Sequence, residues 1–575
     1  MPLGAEVLED GKTRFNLWAP AAGTVDLVLE DGVTPLSRNE NDTFSLTTEA
    51  GAGARYSFRI DGGQEVPDPA SRSQPDDVHG VSEVVDPVSF AWRDEHWVGR
   101  PWEEVVLYEL HVGTFTPEGT FAGVREKLDY LVELGVTAIE LMPLSEFPGR
   151  RNWGYDGVLP FAPESAYGTP DELKDLVQNA HYRGLMVFLD VVYNHFGPEG
   201  NYLPLYAPQF FTDRYDTPWG AAVNFDDEGS EHVREYFIHN TLYWLEEYNF
   251  DGLRLDAVHA INDSSETHFL EELAGRVREG PGSRRHVHLV LENDAKEVRY
   301  LRGPYEAQWN DDLHHALHAA LTGESAGYYA DYADEAVVKL GKALAEGFVY
   351  GNDPDAGLPP GAFVSFVQNH DQVGNRAFGE RIGKLAPPGA VRAAAEIYLL
   401  APQMPMLFMG EEWNADSPFP FFCDFRRDLA PLVAEGRRAE FAEFFEGEDT
   451  DSIPDPGAED TFYRGKLDWE GLHGPEHARH LELYRGLLAL RREEILPLLG
   501  SILGGESTYQ TVGERGLHVQ WKLGDGSFLV LLANLGPGPL DGVERPSGRL
   551  LYASDGVTDE GRELPDWSVL WYLVG

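Results

Sequence analysis

The chain predicts an α/β protein: a (β/α)8 barrel of the TIM type with an N-terminal β-sandwich and a C-terminal β-domain. Three observations carry this expectation. The middle of the 575-residue chain alternates short apolar runs with segments of helical period, the pattern of a parallel sheet wrapped by helices. Both ends instead alternate with period two between turn residues. Three of the apolar runs also close on an acid: Asp256 after Gly252-Leu253-Arg254-Leu255, Glu292 after His288-Leu289-Val290-Leu291, and Asp371 just beyond Phe363-Val364-Ser365-Phe366-Val367. The carboxyl ends of parallel barrel strands meet at one mouth.

Taken in order, residues 1–97 read as an immunoglobulin-like sandwich. Thr13-Arg14-Phe15-Asn16-Leu17-Trp18 and Thr24-Val25-Asp26-Leu27-Val28-Leu29 alternate, while Asp31-Gly32 and Asp61-Gly62-Gly63 separate strands. Val66-Pro67-Asp68-Pro69-Ala70-Ser71-Arg72 is too proline-rich for a central strand. An ordered connection running across a domain surface is expected there. Residues 98–490 make the barrel, with strands at 105–110, 137–142, 185–192, 252–256, 287–291, 363–368 and 406–409 and a weaker sixth strand at 307–310. Helical spacing covers 124–134, 170–183 and 233–248, the second with Thr169 as N-cap and Asp171-Glu172 in its first turn. The aromatic-rich stretch 196–230 is an insertion after the third strand, and loops of that length are usually functional. Strands return at 517–521, 528–533 and 569–573, so residues 491–575 form the last domain.

Composition narrows the function. One hydrophobic core cannot serve 575 residues, so several domains are required. No apolar run reaches the 18 residues of a membrane span, and Met1-Pro2-Leu3-Gly4-Ala5-Glu6 lacks the form of a secretory signal. The single cysteine, Cys423, cannot form an internal disulfide, which fits a cytoplasmic location. A net charge of −52 argues against nucleic acid and other polyanionic partners and favours a neutral one.

Two carboxyls facing each other across a sugar are what glycosidic cleavage requires: one protonates the leaving oxygen, the other attacks or stabilises the anomeric carbon. Arg254 lies two positions before Asp256, so both side chains share one face of the strand, and a guanidinium there keeps the carboxylate ionised. Asp190, ending the third strand, could orient Arg254. His195 and His370 reach the same rim, where two neutral imidazoles could hydrogen-bond sugar hydroxyls. Histidines beside aspartates also admit a metal site, but their spacing is unlike that of zinc ligands.

Asp190-Val191-Val192-Tyr193-Asn194-His195, Gly252-Leu253-Arg254-Leu255-Asp256-Ala257, Leu291-Glu292-Asn293 and Gln368-Asn369-His370-Asp371 resemble, in order, the four sequence regions of the α-amylase superfamily of glycoside hydrolases. The resemblance spans the barrel. It implies Asp256 as nucleophile, Glu292 as general acid/base and Asp371 as a clamp on ring hydroxyls, with Arg254, His195, His370 and Asp190 around the same subsite. Tyr155, in Trp153-Gly154-Tyr155-Asp156, matches the family's stacking platform. No metal or cofactor is expected: amylases that bind calcium do so near the residue matching Asn194, but other members keep that asparagine without it. Trp153 and Trp219 could stack on glucose rings or pack within the insertion. Three further segments, 68–80, 211–220 and 369–377, resemble the maltooligosyltrehalose trehalohydrolase branch. That branch implies maltooligosyltrehalose as substrate, trehalose and maltooligosaccharides as products, and maltooligosyltrehalose synthase as pathway neighbour, with the chain acting as a monomer. An α-glucan branching or debranching enzyme carries the same triad and is the alternative. A non-catalytic amylase-like binding protein is another, but its marks are a lost carboxylate and a membrane anchor.

Overall fold

The apolar runs become eight strands of one closed parallel barrel, in the order Leu107–Leu110, Ala138–Leu141, Met186–Val191, Gly252–Leu255, His288–Leu291, Ala307–Trp309, Phe363–Ser365 and Met404–Phe408. The structure is a computed structural model that describes residues 3–351, 357–426, 428–441 and 452–575, so Met1 and Pro2 of the N-terminal segment lie outside it. Side chains alternate along each strand, so every second one enters the barrel. The lower interior is apolar, filled by Leu107, Ala138, Met186, Phe188, Val290, Val364, Phe366, Met404 and Met406. One step further along the same inward rows the chain turns polar, with Glu109, Glu140, Asp190, Arg254 and Glu292. Glu109 lies beside Glu140 and Asp190 beside Arg254 in the strand register. The period that packs the core thus also stacks charged groups under the mouth.

The helix Pro170–Tyr182 starts at Thr169, which forms a capping box with Glu172. The expected helix at 124–134 is instead two, Phe121–Glu126 and Leu128–Leu134. Between them the Lys127 N–H bonds the Val124 carbonyl, three residues back rather than four, which tightens the turn. In the 196–230 insertion a short helix, Leu203–Tyr206, leads into an antiparallel ribbon, Phe211–Thr217 with Gly220–Val223.

Two antiparallel sheets make the N-terminal domain. The proline-rich connection does not cross an open surface as expected. Asp68, Ser71, Arg72 and Gln74 are all buried, with Asp68 accepting from the Tyr56 hydroxyl and the Pro69 carbonyl from Tyr236 on a barrel helix. A polar segment tolerates that burial when its groups find partners: Ser71 donates to the Ser73 carbonyl, Gln74 to the Asp77 carbonyl, and Arg72 lies over the Tyr243 ring. The C-terminal domain is a five-stranded antiparallel sheet. Its stacked Trp521 and Trp571 donate their indole N–H groups to the carbonyls of Leu344 and Glu396 on barrel helices.

Candidate active site

Arg254 is the centre of the polar layer. Fully buried, it points Nη1 at Asp190 (2.6 Å) and Asp256 (2.8 Å) and Nη2 at Glu292 (2.5 Å). Its guanidinium carbon lies 4.0 Å from the centre of the Trp309 ring, a cation–π contact that fixes the plane of the fork. Arg254 was expected beside Asp256 and Asp190; it also reaches Glu292 and so bridges three carboxylates. Asp256 also accepts from Asn194 Nδ2 at 2.8 Å. The next residue, Ala257, adopts the left-handed conformation (φ 38°, ψ 50°) and gives its N–H to Glu292 at 2.9 Å. A non-glycine residue there costs of order 1–3 kcal/mol, which this contact and the surrounding strands hold in place. Burial raises the Glu292 carboxyl above its ordinary range, Arg254 opposes the rise and Asp256 adds to it. Asp256 and Glu292 each accept from two donors, and Glu292 is the carboxyl that burial pushes toward its acid form.

Asp371 is the most open of the three acids, with about a third of its side chain exposed. It lies in the first turn of the short helix His370–Gly374, capped by Asn369. Tyr155 donates to Asp190 at 2.6 Å and stacks its ring on His370, centres 5.0 Å apart.

The two histidines have different surroundings, and that of His370 departs from the expected neutral imidazole. His370 Nδ1 is 2.5 Å from Glu109 and Nε2 is 3.4 Å from Asp371. Burial alone would lower its pKa, but Asp371 and Glu109 outweigh burial and lift it to about 9. His370 is a cation at neutral pH. His195 spends both ring nitrogens inside the protein, one toward the Asn194 side chain and one toward the Tyr155 carbonyl at 2.9 Å. Its ring lies under Trp219, stacked at 5.3 Å.

The two tryptophans part company. Trp219, on the inserted ribbon and 45% exposed, reaches the rim through that stack. Trp153 is buried against Phe419, with its ring edge-on to His370; it packs behind the site and offers no open face to a sugar. Four residues near the chemistry escaped sequence reasoning: Glu109, Asn194 in its contact with Asp256, Trp309 and Asp311. Asp311 follows the sixth strand; burial, then Glu292 and Asp371, push its carboxyl up to about 8. Glu109 had a readable signal, an acid at an inward position of an apolar strand. Trp309 had none beyond its apolar character. Among the described residues no cluster of His, Cys, Asp and Glu has the form of a metal site.

A raised acid, a held carboxylate and an open third acid at the mouth of a barrel suit acid-assisted cleavage at a sugar acetal carbon. Comparison with known proteins agrees with this chemistry. Residues 67–205 match the α-amylase catalytic domain, residues 2–87 carbohydrate-binding module 48 (isoamylase N-terminal domain), and residues 504–571 a domain of unknown function. The malto-oligosyltrehalose trehalohydrolase of Deinococcus radiodurans is 44% identical, the match covering 93% of this chain and 89% of that protein. Its namesake from Saccharolobus solfataricus is 44% identical over 86% and 87%. The crystal structure of a putative α-amylase from Salmonella typhimurium superposes with a TM-score of 0.95 at 43% identity, covering 100% of this chain and 99% of that one. A pullulanase from Paenibacillus barengoltzii, 22% identical with a TM-score of 0.73, shares the fold. The chain belongs to the malto-oligosyltrehalose trehalohydrolase family, within the α-amylase glycoside hydrolases.

Proposed function

We propose that Asp256, Glu292 and Asp371 cleave the α-1,4-glucosidic bond next to the terminal trehalose of maltooligosyltrehalose with retention of configuration. Asp256 attacks the anomeric carbon as the bond to the trehalosyl oxygen breaks, and Glu292 gives that oxygen its proton. Trehalose leaves. Water then attacks the glycosyl-enzyme, Glu292 takes the water's proton back, Asp256 is released, and the maltooligosaccharide departs. Asp371 and the His370 cation bind ring hydroxyls of the sugar being cleaved, Tyr155 stacks beneath it, and Trp219 walls the rim.

The observation that carries the chemistry is the single guanidinium touching both Asp256 and Glu292. Such a bridge keeps the two carboxyls close, as the roughly 5–5.5 Å spacing of retaining enzymes requires. The choice of substrate rests on the relatives' name. No helix among the described residues is long and apolar enough to cross a membrane; we place the protein in the cytoplasm, acting as a monomer on the product of maltooligosyltrehalose synthase. The test is a comparison of sugars released from maltooligosyltrehalose and from a maltooligosaccharide of equal length. The cleaved bond is the same in both, so selectivity comes from hydrogen bonds that only the trehalosyl end satisfies. We expect kcat/KM to favour maltooligosyltrehalose by about 10²-fold or more, with an α-anomer at the new reducing end by NMR. Equal rates, or altered branching without trehalose, would overturn the assignment.

A further inference from the structure

We propose that Glu109 is a positioning residue for this site: it grips His370 at ring Nδ1 and at the backbone N–H, leaving Nε2 to donate toward Asp371 and the sugar hydroxyl beside it. The inference rests on the function proposed above and extends it to a strand that carries none of the three acids. Glu109 occupies the inward row of the first barrel strand and is buried. One carboxylate oxygen is 2.5 Å from His370 Nδ1, and the other accepts the His370 N–H at 3.0 Å. Two contacts to one residue fix the backbone and the ring together. The ring cannot swing away, because Tyr155 covers one face and the edge of Trp153 closes a side.

This grip also decides which protons the ring carries. With Nδ1–H donated to Glu109, a neutral imidazole would turn the Nε2 lone pair toward the Asp371 carboxylate, 3.4 Å away. Lone pair against carboxylate is repulsive, so the arrangement is favourable only when both nitrogens are protonated. The other groups facing the ring do not reverse this. Arg254 opposes the positive charge, as burial does. His111 is pushed down to about 3 by burial and adds no charge. Glu140 has no hydrogen-bond partner on either oxygen, and burial, then Glu109, push its carboxyl well above the ordinary range, toward the uncharged form. Glu109 and Asp371 are the two carboxylates that keep the cation in place, and only Glu109 lies out of reach of substrate.

The experiment is a substitution series in the full chain, read by NMR titration of the imidazoles, with His370 assigned by its loss in His370→Gln. In the parent, His370 stays protonated through pH 8. In Glu109→Gln it should lose its proton at least about one pH unit lower, toward the ordinary histidine range. In Glu109→Asp, which keeps the charge, it should stay protonated. At pH 7.5, kcat/KM should fall about 10–100-fold in Glu109→Gln, the range for one lost charge-assisted hydrogen bond, and recover in part in Glu109→Asp. Adding Glu109→Gln to His370→Gln should cost nothing more, since the residue acts through that ring. An unchanged His370 titration in Glu109→Gln, or losses that multiply in the double variant, would overturn the proposal. If Glu109→Gln does not fold, Glu109→Asp with and without His370→Gln supplies the same cycle. The titration needs no substrate, so a parent that released no trehalose would sink the assigned function and leave this test standing.

Discussion

Replacing Arg254 with lysine keeps the charge and removes the fork, which isolates geometry from electrostatics. In the native site one nitrogen serves Asp190 and Asp256 and the other serves Glu292, with the plane pressed on Trp309. An ammonium is one point on a flexible stem and cannot occupy both nitrogen positions. At least one charge-assisted hydrogen bond is lost, worth about 1.5–3 kcal/mol, and the contact with Trp309 weakens with it. If Glu292 and Asp256 drift apart, two such contacts fail. At about 1.4 kcal/mol per factor of ten, Arg254→Lys should lower kcat/KM for maltooligosyltrehalose by about 10²-fold or more. The loss should fall mainly on kcat, because the misplaced groups act on the reacting bond. The melting temperature should also drop, since a buried carboxylate left without its partner costs about 3–5 kcal/mol before it protonates. The assay is the initial rate of trehalose release at a temperature well below the variant's own melting point. Activity within about threefold of the parent would refute the reasoning and reduce Arg254 to a structural neighbour.

Two further outcomes are expected. Asp256→Asn preserves side-chain size but keeps one acceptor oxygen where Asp256 uses two, one for Arg254 and one for Asn194, so it should still fold, with a lowered melting temperature, yet lose on the order of 10³-fold or more in kcat at temperatures where it is folded, as loss of a covalent nucleophile does; residual activity above a tenth would rule out its proposed role. Away from the site, burial pushes Glu411 from the usual 4.5 up to about 7 despite hydrogen bonds from Tyr398 and Tyr484. A carboxyl raised on folding binds its proton more tightly in the native state, so its contribution is full below 4.5 and is lost as pH rises to about 7. Glu411→Gln should therefore gain in melting temperature relative to the parent between pH 5 and pH 8, and a difference that does not change with pH would contradict that reading.

The sequence by itself determined the frame of this protein. Strand positions follow from runs of apolar residues, and the face that each residue takes follows from a period of two, so Arg254 and Asp256 had to share a face. Convergence of strand ends then brought Asp190, Asp256, Glu292 and Asp371 to one mouth, because parallel closure leaves them nowhere else to go. The tertiary structure alone decided which groups touch. The His370 imidazole is raised by Asp371 beside it in sequence and by Glu109, 261 positions away in the chain, which lies against its ring, and no local pattern records the second pairing. Trp153 and Trp219 are the same residue type at comparable distances from the motifs, yet one is buried behind His370 and the other stands at the rim. The proline-rich connection read as a surface segment and is instead enclosed by two domains that each supply its hydrogen-bond partners. Periodicity is a property of neighbours along the chain. Burial and hydrogen-bond partners, and the protonation states that follow from them, depend on residues brought from elsewhere.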